Sequence, residues 1–561
     1  MPFAITASCC ADATCVSVCP VDCIHPTPAE PDFGTTDILY VDPKVCIDCG
    51  ACADACPVDA VKPIDLLRGG EEVFARLNAE FYEQRQVPER VEPVAGAPVE
   101  RVLANPVFAD VGHVTDEPLR IAIVGTGPAA SYAARHLLTT TDATVTMIDR
   151  LPVPGGLVRA GVAPDHPSTK RFGGQFEWVH THPRAEMFMN VEVGRDVSHD
   201  ELLQHHHAVV YGVGARADRE LGVPGEDLAG VHGAPEVVGW YNGDPDVAAS
   251  AVDPVSAGRR AVLVGNGNVA LDVARLLLSD PDRLAGTDMA DHALAALRDS
   301  GLREVVLLGR RGPEHAAFTR PELLTMPDGI ELVVVDDPAT TTALDAAAPG
   351  STAALLAELP RVGPDWHQEP SDAPRIVLAF DRRVTRVVGE DRVSAVELTG
   401  PGGNPQTLET GLLVRSTGFR GRALPDLPFD PVTSTVPNDG GRVMGPDGPV
   451  PGAYVVGWIK RGATGGIGTN RACAQETVRG ILDDATSGRL ASPARGPREL
   501  ASLLRRRSPR LVSRRRMLAI DRAERRRGEA AGRPRVKFTT VDELVGAGSL
   551  AGRWRRRSDQ A

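Results

Sequence analysis

The run Cys46-Ile-Asp-Cys49-Gly-Ala-Cys52-Ala-Asp-Ala-Cys56-Pro57 constrains this chain more than any other stretch. Three thiolates separated by pairs of residues wrap one cubane of iron and sulfur. A fourth, three residues on and followed by proline, reaches the neighbouring cubane in two-cluster modules. Structural zinc sites instead pair CxxC units across a longer spacer. Four cysteines in eleven residues ending in Cys-Pro therefore read as iron–sulfur ligands, and the chain as one that moves single electrons.

Upstream, Cys9, Asp12, Cys15 and Cys19-Pro20 stand at the same gaps as Cys46, Cys49, Cys52 and Cys56-Pro57. Crossed ligation assigns Cys46, Cys49, Cys52 and Cys19 to a 4Fe-4S cluster. The other site keeps Cys9, Cys15 and Cys56, with Asp12 where a thiolate belongs. Three thiolates suit a 3Fe-4S cluster, or a 4Fe-4S cluster with Asp12 on the fourth iron; Asp12 as a solvated loop acid is the plain alternative. A register shift would put Cys10 in place of Cys9. Cys23 and Cys473 read as spare thiols, each a small buried side chain.

A chain of 561 residues predicts three or four domains. The formal charge of −13 is unevenly spread. Residues 1–66 carry ten acids against Lys44 and Lys62, whereas the C-terminal segment holds Arg505 to Arg507, Arg514 to Arg516, Arg525 to Arg527 and Arg555 to Arg557. Those arginines lack interleaved aromatics and a binding fold, so they read as a solvated or partner-facing helix and not as a nucleic-acid site. No signal peptide precedes Cys9, and no run of about eighteen apolar residues is present to span a membrane. Nine of ten cysteines fall in the first 56 residues, which is cluster usage and not a disulfide framework, and points to the cytoplasm.

The chain divides into a cluster module over 1–66 and a Pro- and Val-rich linker over 67–118 with a helix near Glu71–Tyr82. Leu119-Arg-Ile-Ala-Ile-Val-Gly125-Thr-Gly127-Pro-Ala-Ala130 then opens a strand-turn-helix in the GxGxxA form. Gly125 allows the tight turn, Gly127 lets backbone approach a pyrophosphate, and Ala130 keeps helix and strand close. The next strand ends in Asp149, whose carboxylate suits a ribose 2′-OH and repels a 2′-phosphate, so this site suits FAD or NAD. A second fingerprint, Gly265-Asn266-Gly267-Asn268-Val269-Ala270, is followed by the strand Glu304–Gly309 and the pair Arg310-Arg311. Guanidinium forks there favour the 2′-phosphate of NADP(H). A late strand to Gly457-Trp458 and the glycine turn Gly462–Asn470 return to the first site, where amides at a helix start hold an anion or a flavin oxygen. Strands Arg375–Phe380 and Val393–Leu398 read as an antiparallel elaboration of the inserted unit.

From Leu119 to about Val545 the chain resembles ferredoxin–NADP reductases of the adrenodoxin reductase type. The resemblance is carried by Leu151–Pro167, Gly265–Arg275, Gly309-Arg-Arg-Gly-Pro313 and Gly457–Gly465. Residues 1–66 resemble seven-iron bacterial ferredoxins, and the whole resembles the mycobacterial-type ferredoxin/ferredoxin–NADP reductase fusions. The resemblance implies an α/β flavoprotein with two Rossmann-like domains, one inserted in the other, behind an α+β ferredoxin domain. FAD binding is then expected over 119–222 and 412–490, NADP binding over 223–411, and a basic helical tail over 491–561. Ala129, Asp149, Leu157, Val193, Trp458, Gly465, Gly466 and Ile467 would line FAD. Arg219, Asn266, Gly267, Asn268, Val269, Arg310, Arg311 and Glu322 would contact NADP(H). His166 and Glu322 would lie near the reacting rings and handle protons or position the hydride donor, the plain alternative for His166 being a loop cap. Gly155 stands where family members carry an aromatic residue, Ala463 stands where they carry proline, and the gap from Cys9 to Cys15 is short for a seven-iron module.

The expected chemistry is NADPH to FAD to the fused clusters to a one-electron acceptor such as a ferredoxin or a cytochrome P450 system. An electron-input subunit like that of glutamate synthase, and a cluster-based redox sensor, are the alternatives.

Overall fold

The computed structural model describes residues 2–33, 35–83, 115, 117–348, 351–363 and 365–549. Most of the expected linker, and Arg555 to Arg557, lie outside the described residues.

The cluster module is built twice over from one plan. Helices Thr14–Val18 and Ala51–Ala55 each start after a left-handed residue, Ala13 at φ 58° and Gly50 at φ 74°. Each ends at a cysteine, Cys19 or Cys56, with nearly identical backbone angles. Phe3–Ile5 pairs antiparallel with Val61–Pro63, and Ile24–His25 with Tyr40–Val41. The module does not stop at residue 66. Helix Val73–Glu83 packs Phe74 and Leu77 onto those strands. Its Asn78, fully buried, accepts from the amides of Ile5 at 3.0 Å and Val41 at 2.8 Å, and donates to the carbonyls of Ile5 and Phe74. A buried amide with both ends satisfied ties the two small sheets to the helix. The packed body therefore runs to Glu83, which corrects the expected start of the linker at residue 67.

The first dinucleotide-binding domain holds an eight-stranded sheet. Its parallel centre runs Gly448–Val455, Ala208–Tyr211, Arg120–Val124, Thr144–Asp149 and Ala185–Met189. Buried on both faces, Ile121–Val124 and Ala208–Tyr211 read as continuous apolar runs. The inserted domain has seven parallel strands in the order Val231–Gly233, Leu413–Arg415, Arg260–Val264, Glu304–Leu308, Arg375–Ala379, Glu331–Val335, Arg361–Val362. The fold is thus the two-dinucleotide-binding plan with a ferredoxin-like module in front. Three boundaries need correction. Leu413–Arg415 belongs to the inserted sheet, so the inserted unit extends past residue 411. Arg375–Ala379 is a central parallel strand, whereas the antiparallel elaboration is Arg383–Gly389, Val393–Thr399 and Pro405–Glu409. The C-terminal segment is not a separate tail: Val512–Ser513 adds an antiparallel edge strand beside Ala185–Met189.

That segment also answers for many of its arginines. Arg507 forks onto Glu201, and Arg525 pairs with Glu177 and Asp521. Buried Glu524 takes both Arg159 and Arg535. These are contacts within the chain, where the sequence reading had a solvated or partner-facing helix.

Candidate functional site

Three sites can be built from the chain upward. In the cluster module, left-handed Ala11 and Ala13 precede one helix as Asp48 and Gly50 precede the other. Such alternation turns successive amides toward one concave side, the geometry of anion and iron–sulfur nests. For non-glycine residues each left-handed step costs roughly 1–2 kcal/mol, and here it recurs at matched positions.

The thiols fall into two groups. Burial pushes Cys9 up to about 12, with Cys56 and Asp12 adding to the effect, and Cys15 is raised by burial and then by Cys9. Burial likewise pushes Cys52 up to about 12, with Cys19, Cys46 and Cys49 adding to it. Cys9, Cys15 and Cys56 thus lie within electrostatic reach of one another, with Cys10 beside them, and Cys52 lies within reach of Cys19, Cys46 and Cys49, with Cys23 beside those. Thiols crowded in this way become thiolates when a cation compensates them. Backbone amides already point at sulfur: Ala11 to Cys9 at 3.4 Å, Cys23 to Cys19 at 3.4 Å, Ala60 to Cys56 at 3.2 Å. No cysteine is in a disulfide. This donor set fits iron–sulfur clusters.

Asp12 is half-buried and engaged locally. Its carboxylate accepts from the Thr14 amide at 3.3 Å and from the Thr14 hydroxyl, ahead of helix Thr14–Val18. Cys10 is buried beside it. Cys23 is not remote from the chemistry, since its Sγ lies 3.4 Å from that of Cys19.

The flavin-type site begins at Gly125, whose φ of 102° and contact with the Gly212 carbonyl leave no room for a side chain. Gly127 caps helix Pro128–Thr140, and a Cβ on Gly156 would lie 2.9 Å from the Gly127 Cα. That glycine-only cradle at a helix start is what a pyrophosphate needs. Asp149 at the strand end accepts from the Thr126 hydroxyl at 2.6 Å and the Leu151 amide at 2.9 Å; burial raises it. Leu157 opens helix Leu157–Ala160, and Val193 makes an isolated bridge to Val197. Gly457 packs on Ala129, and its amide donates to Cys473 Sγ at 3.3 Å, so that thiol has a post. Trp458 is half-buried and donates to the Thr464 carbonyl at 3.0 Å, pinning the turn that holds Gly465, Gly466 and Ile467. Helix Thr469–Thr486 follows directly.

The second cradle repeats the plan. Gly265 has φ 118° and lies against Ser416, and Gly267 caps helix Asn268–Leu278. Asn268 exchanges bonds with Thr319, while Asn266 lies against Gly309. Arg310, Arg311 and Arg219 are exposed, and among the described residues none of the three side chains has an ion-pair partner. They are available to a phosphate.

Between the cradles lies a charged network that sequence reading caught only at its ends. His166 caps helix Pro167–Arg171 through its backbone and not its side chain. The imidazole Nε2 instead sits 3.8 Å from Glu322 Oε1. Arg275, 2 % exposed, binds Asp165 at 2.8 and 3.0 Å, Asp272 at 2.6 Å and Glu322 at 3.1 Å. Burial, then the Asp272 charge, pushes the Glu322 carboxyl up to about 8 despite Arg275; burial lowers His166. Burial thus favours the protonated form of the Glu322 carboxyl and the neutral form of the His166 imidazole. The signal for the missed residues was Asp272-x-x-Arg275, an i,i+3 ion pair on an otherwise apolar helix.

The module and the flavin-type site touch. The Gly468 amide donates to the Cys10 carbonyl at 2.8 Å, and Arg471 donates to the Asp12 carbonyl at 3.0 Å.

A 4Fe-4S binding domain is matched over residues 39–62 and an NAD(P)-binding Rossmann-like domain over residues 123–190. The chain is 45 % identical, over 98 % of its length and 96 % of the relative, to the probable ferredoxin/ferredoxin–NADP reductase of Mycobacterium tuberculosis. Its Mycobacterium leprae counterpart is also 45 % identical, with 97 % of each chain covered. The solved structure of Mycobacterium tuberculosis FprA in complex with NADPH matches 77 % of this chain and all of that chain, with TM-score 0.69 and 43 % identity.

Proposed function

We propose an electron path through this chain, which belongs to the ferredoxin/ferredoxin–NADP reductase family. The chain is an NADPH-dependent, FAD-containing oxidoreductase with its own fused ferredoxin. When bound, FAD takes the electron pair of a hydride and gives it up one electron at a time to iron–sulfur clusters. What the protein supplies is position. Gly125, Gly127 and Ala130 admit the pyrophosphate of FAD, Asp149 its ribose, and Gly465, Gly466 and Ile467 border its ring. Gly265, Gly267 and Asn268 cradle NADPH, and Arg310 with Arg311 take the 2′-phosphate. His166 and Glu322 would stand beside the nicotinamide, with Arg275 fixing Glu322, whose carboxyl burial pushes up to about 8.

Cys9, Cys15 and Cys56 hold the first cluster; three thiolates suit a three-iron cluster, a reading that the hydrogen bonds of Asp12 to Thr14 support. Cys19, Cys46, Cys49 and Cys52 hold the 4Fe-4S cluster. The observation that carries the path is the contact of the first-site loop with the start of the flavin helix. The second site faces the other way, with Ile47 58 % exposed and Cys49 exposed beside Asp48 and Asp54. This acidic rim suits a one-electron acceptor that presents a basic face. Ten cysteines without a disulfide suit the cytoplasm, and among the described residues no helix is long and apolar enough to cross a membrane.

The test is an EPR spectrum of anaerobically purified protein with iron, sulfide and flavin counts, beside NADPH-driven reduction of ferricyanide and cytochrome c. One flavin, seven irons and reduction of both acceptors are expected. Cofactor loading without NADPH oxidation would favour a redox sensor.

A further inference from the structure

Gly468 has ordinary helical angles, φ −67° and ψ −34°. Any residue adopts them, so its own backbone does not call for glycine. The neighbour does. A Cβ at this position would sit inside the van der Waals envelope of Cys10 O, Ala11 C and Asp12 N, all of them backbone. Backbone of the cluster loop thus lies directly on backbone of the flavin helix. The seat beneath is apolar. Cys10, Cys15 and Phe74 of the module share one continuous buried cluster with Tyr132, Phe172 and Phe176 of the flavin-binding domain. Polar contacts sit at the rim: Arg171 pairs with Asp59, both more than 60 % exposed, the Arg320 backbone amide donates to the Asp37 carboxylate, and the half-buried Arg320 side chain pairs with Glu80. The exposed Arg171–Asp59 pair contributes little and is screened by salt.

We propose that Gly468 is a positioning residue, seating the fused module in one fixed pose with its first cluster site toward the flavin, so that the module is neither a tethered nor a charge-steered partner. The proposal rests on the reading that Cys9, Cys15 and Cys56 hold a cluster and that Gly465 to Ile467 border the flavin. One electron at a time then leaves the reduced flavin for the cluster at the Cys9 side. Two such passages, each followed by onward transfer to the acceptor, return the flavin to its oxidised state.

The experiment uses the full-length, cofactor-loaded protein. Hydrogen exchange is followed in segments 8–14 and 466–473, in the parent, in Gly468→Val, and in Asp37→Lys combined with Asp59→Lys. Protection in the parent should be the same in dilute buffer and in about 1 M salt, where the Debye length shrinks to roughly 3 Å. The rim charge reversals should change it by less than about threefold. Gly468→Val should lose at least roughly tenfold in protection of both segments, with iron, sulfide and flavin counts intact. Cytochrome c reduction should fall further in this variant than flavin reduction by NADPH does. Unaltered protection in Gly468→Val overturns the proposal. So does loss of protection on adding salt to the parent, a measurement that stands even where the valine variant does not fold. Metal counts that leave the Cys9 site empty in the parent overturn the ligand reading instead, and the exchange data still decide the seat.

Discussion

Arg275 Nη1 lies 3.1 Å from Glu322 Oε1, yet the Glu322 carboxyl keeps its proton up to about 8. Burial is the first cause, and Asp272 the second. Arg275 is divided among Asp165, Asp272 and Glu322, so its one charge cannot ionise all three freely. Raising pH through about 8 therefore adds one negative charge beside the nicotinamide site. The rate of flavin reduction by NADPH should inflect in that range. Glu322→Gln, fixed in the neutral form, should keep the low-pH behaviour throughout and lose the inflection. Stopped-flow flavin bleaching across pH 6 to 10 checks this, roughly two units on each side of the expected midpoint. An inflection that survives the substitution would assign it to another group.

Coenzyme choice should rest on Arg310 and Arg311. Each charge-assisted bond contributes about 1.5–3 kcal/mol, so replacing both with alanine should lose roughly 3–6 kcal/mol of preference for NADPH over NADH. The loss should appear in kcat/KM for NADPH and leave NADH nearly unchanged. Equal kcat/KM for the two coenzymes in the unmodified protein would remove the pair from the 2′-phosphate site.

The chemistry-bearing segments were readable because each is local. A glycine fingerprint or a cysteine run states its geometry within a dozen residues, and each glycine turn stands between a strand and a helix as its fingerprint expects. What stayed hidden is long-range. Arg275 meets Asp165 and Glu322 across 110 and 47 residues, and nothing in any one of the three announces the others. Leu413–Arg415 is too short to show a period, and its place between Val231–Gly233 and Arg260–Val264 comes from pairing. Asn78 looks like an ordinary helix residue until its bonds to Ile5 and Val41 are seen. Gly468 reads as one more glycine in a turn, and its need for glycine comes from a loop more than 450 residues earlier.

Acid stability should depend on Asp484. Burial pushes its carboxyl up, but bonds from Arg442 at 2.7 Å, Tyr454 at 2.6 Å and Arg489 outweigh burial and hold it at about 2. A depressed carboxyl contributes stability that is present above its unfolded pKa near 4 and is lost as pH falls through about 2. Asp484→Asn should therefore destabilise the flavin-binding domain by about 2 kcal/mol at neutral pH, and the difference should shrink below about pH 4. Denaturant unfolding of both proteins at several pH values measures it. A pH-independent difference would mean that the loss is one of hydrogen bonding alone.

Asp12 lies 37 residues before Cys49, as Cys9, Cys15 and Cys19 lie before Cys46, Cys52 and Cys56. Left-handed Ala11 and Ala13 keep the same offset from Asp48 and Gly50. The backbone of the first half is therefore already shaped for a fourth thiolate, and what it lacks is sulfur. Asp12→Cys should supply it, convert the first site to a four-iron cluster, and abolish the three-iron EPR signal while raising the iron count by one. Asp12→Ala separates the two roles of the carboxylate. With Asp12 bound to Thr14 and not to iron, the alanine variant should keep the three-iron signal and lose only about 1 kcal/mol of stability. A carboxylate on the fourth iron predicts the reverse: four-iron signals in the parent that turn into three-iron signals once the aspartate is gone.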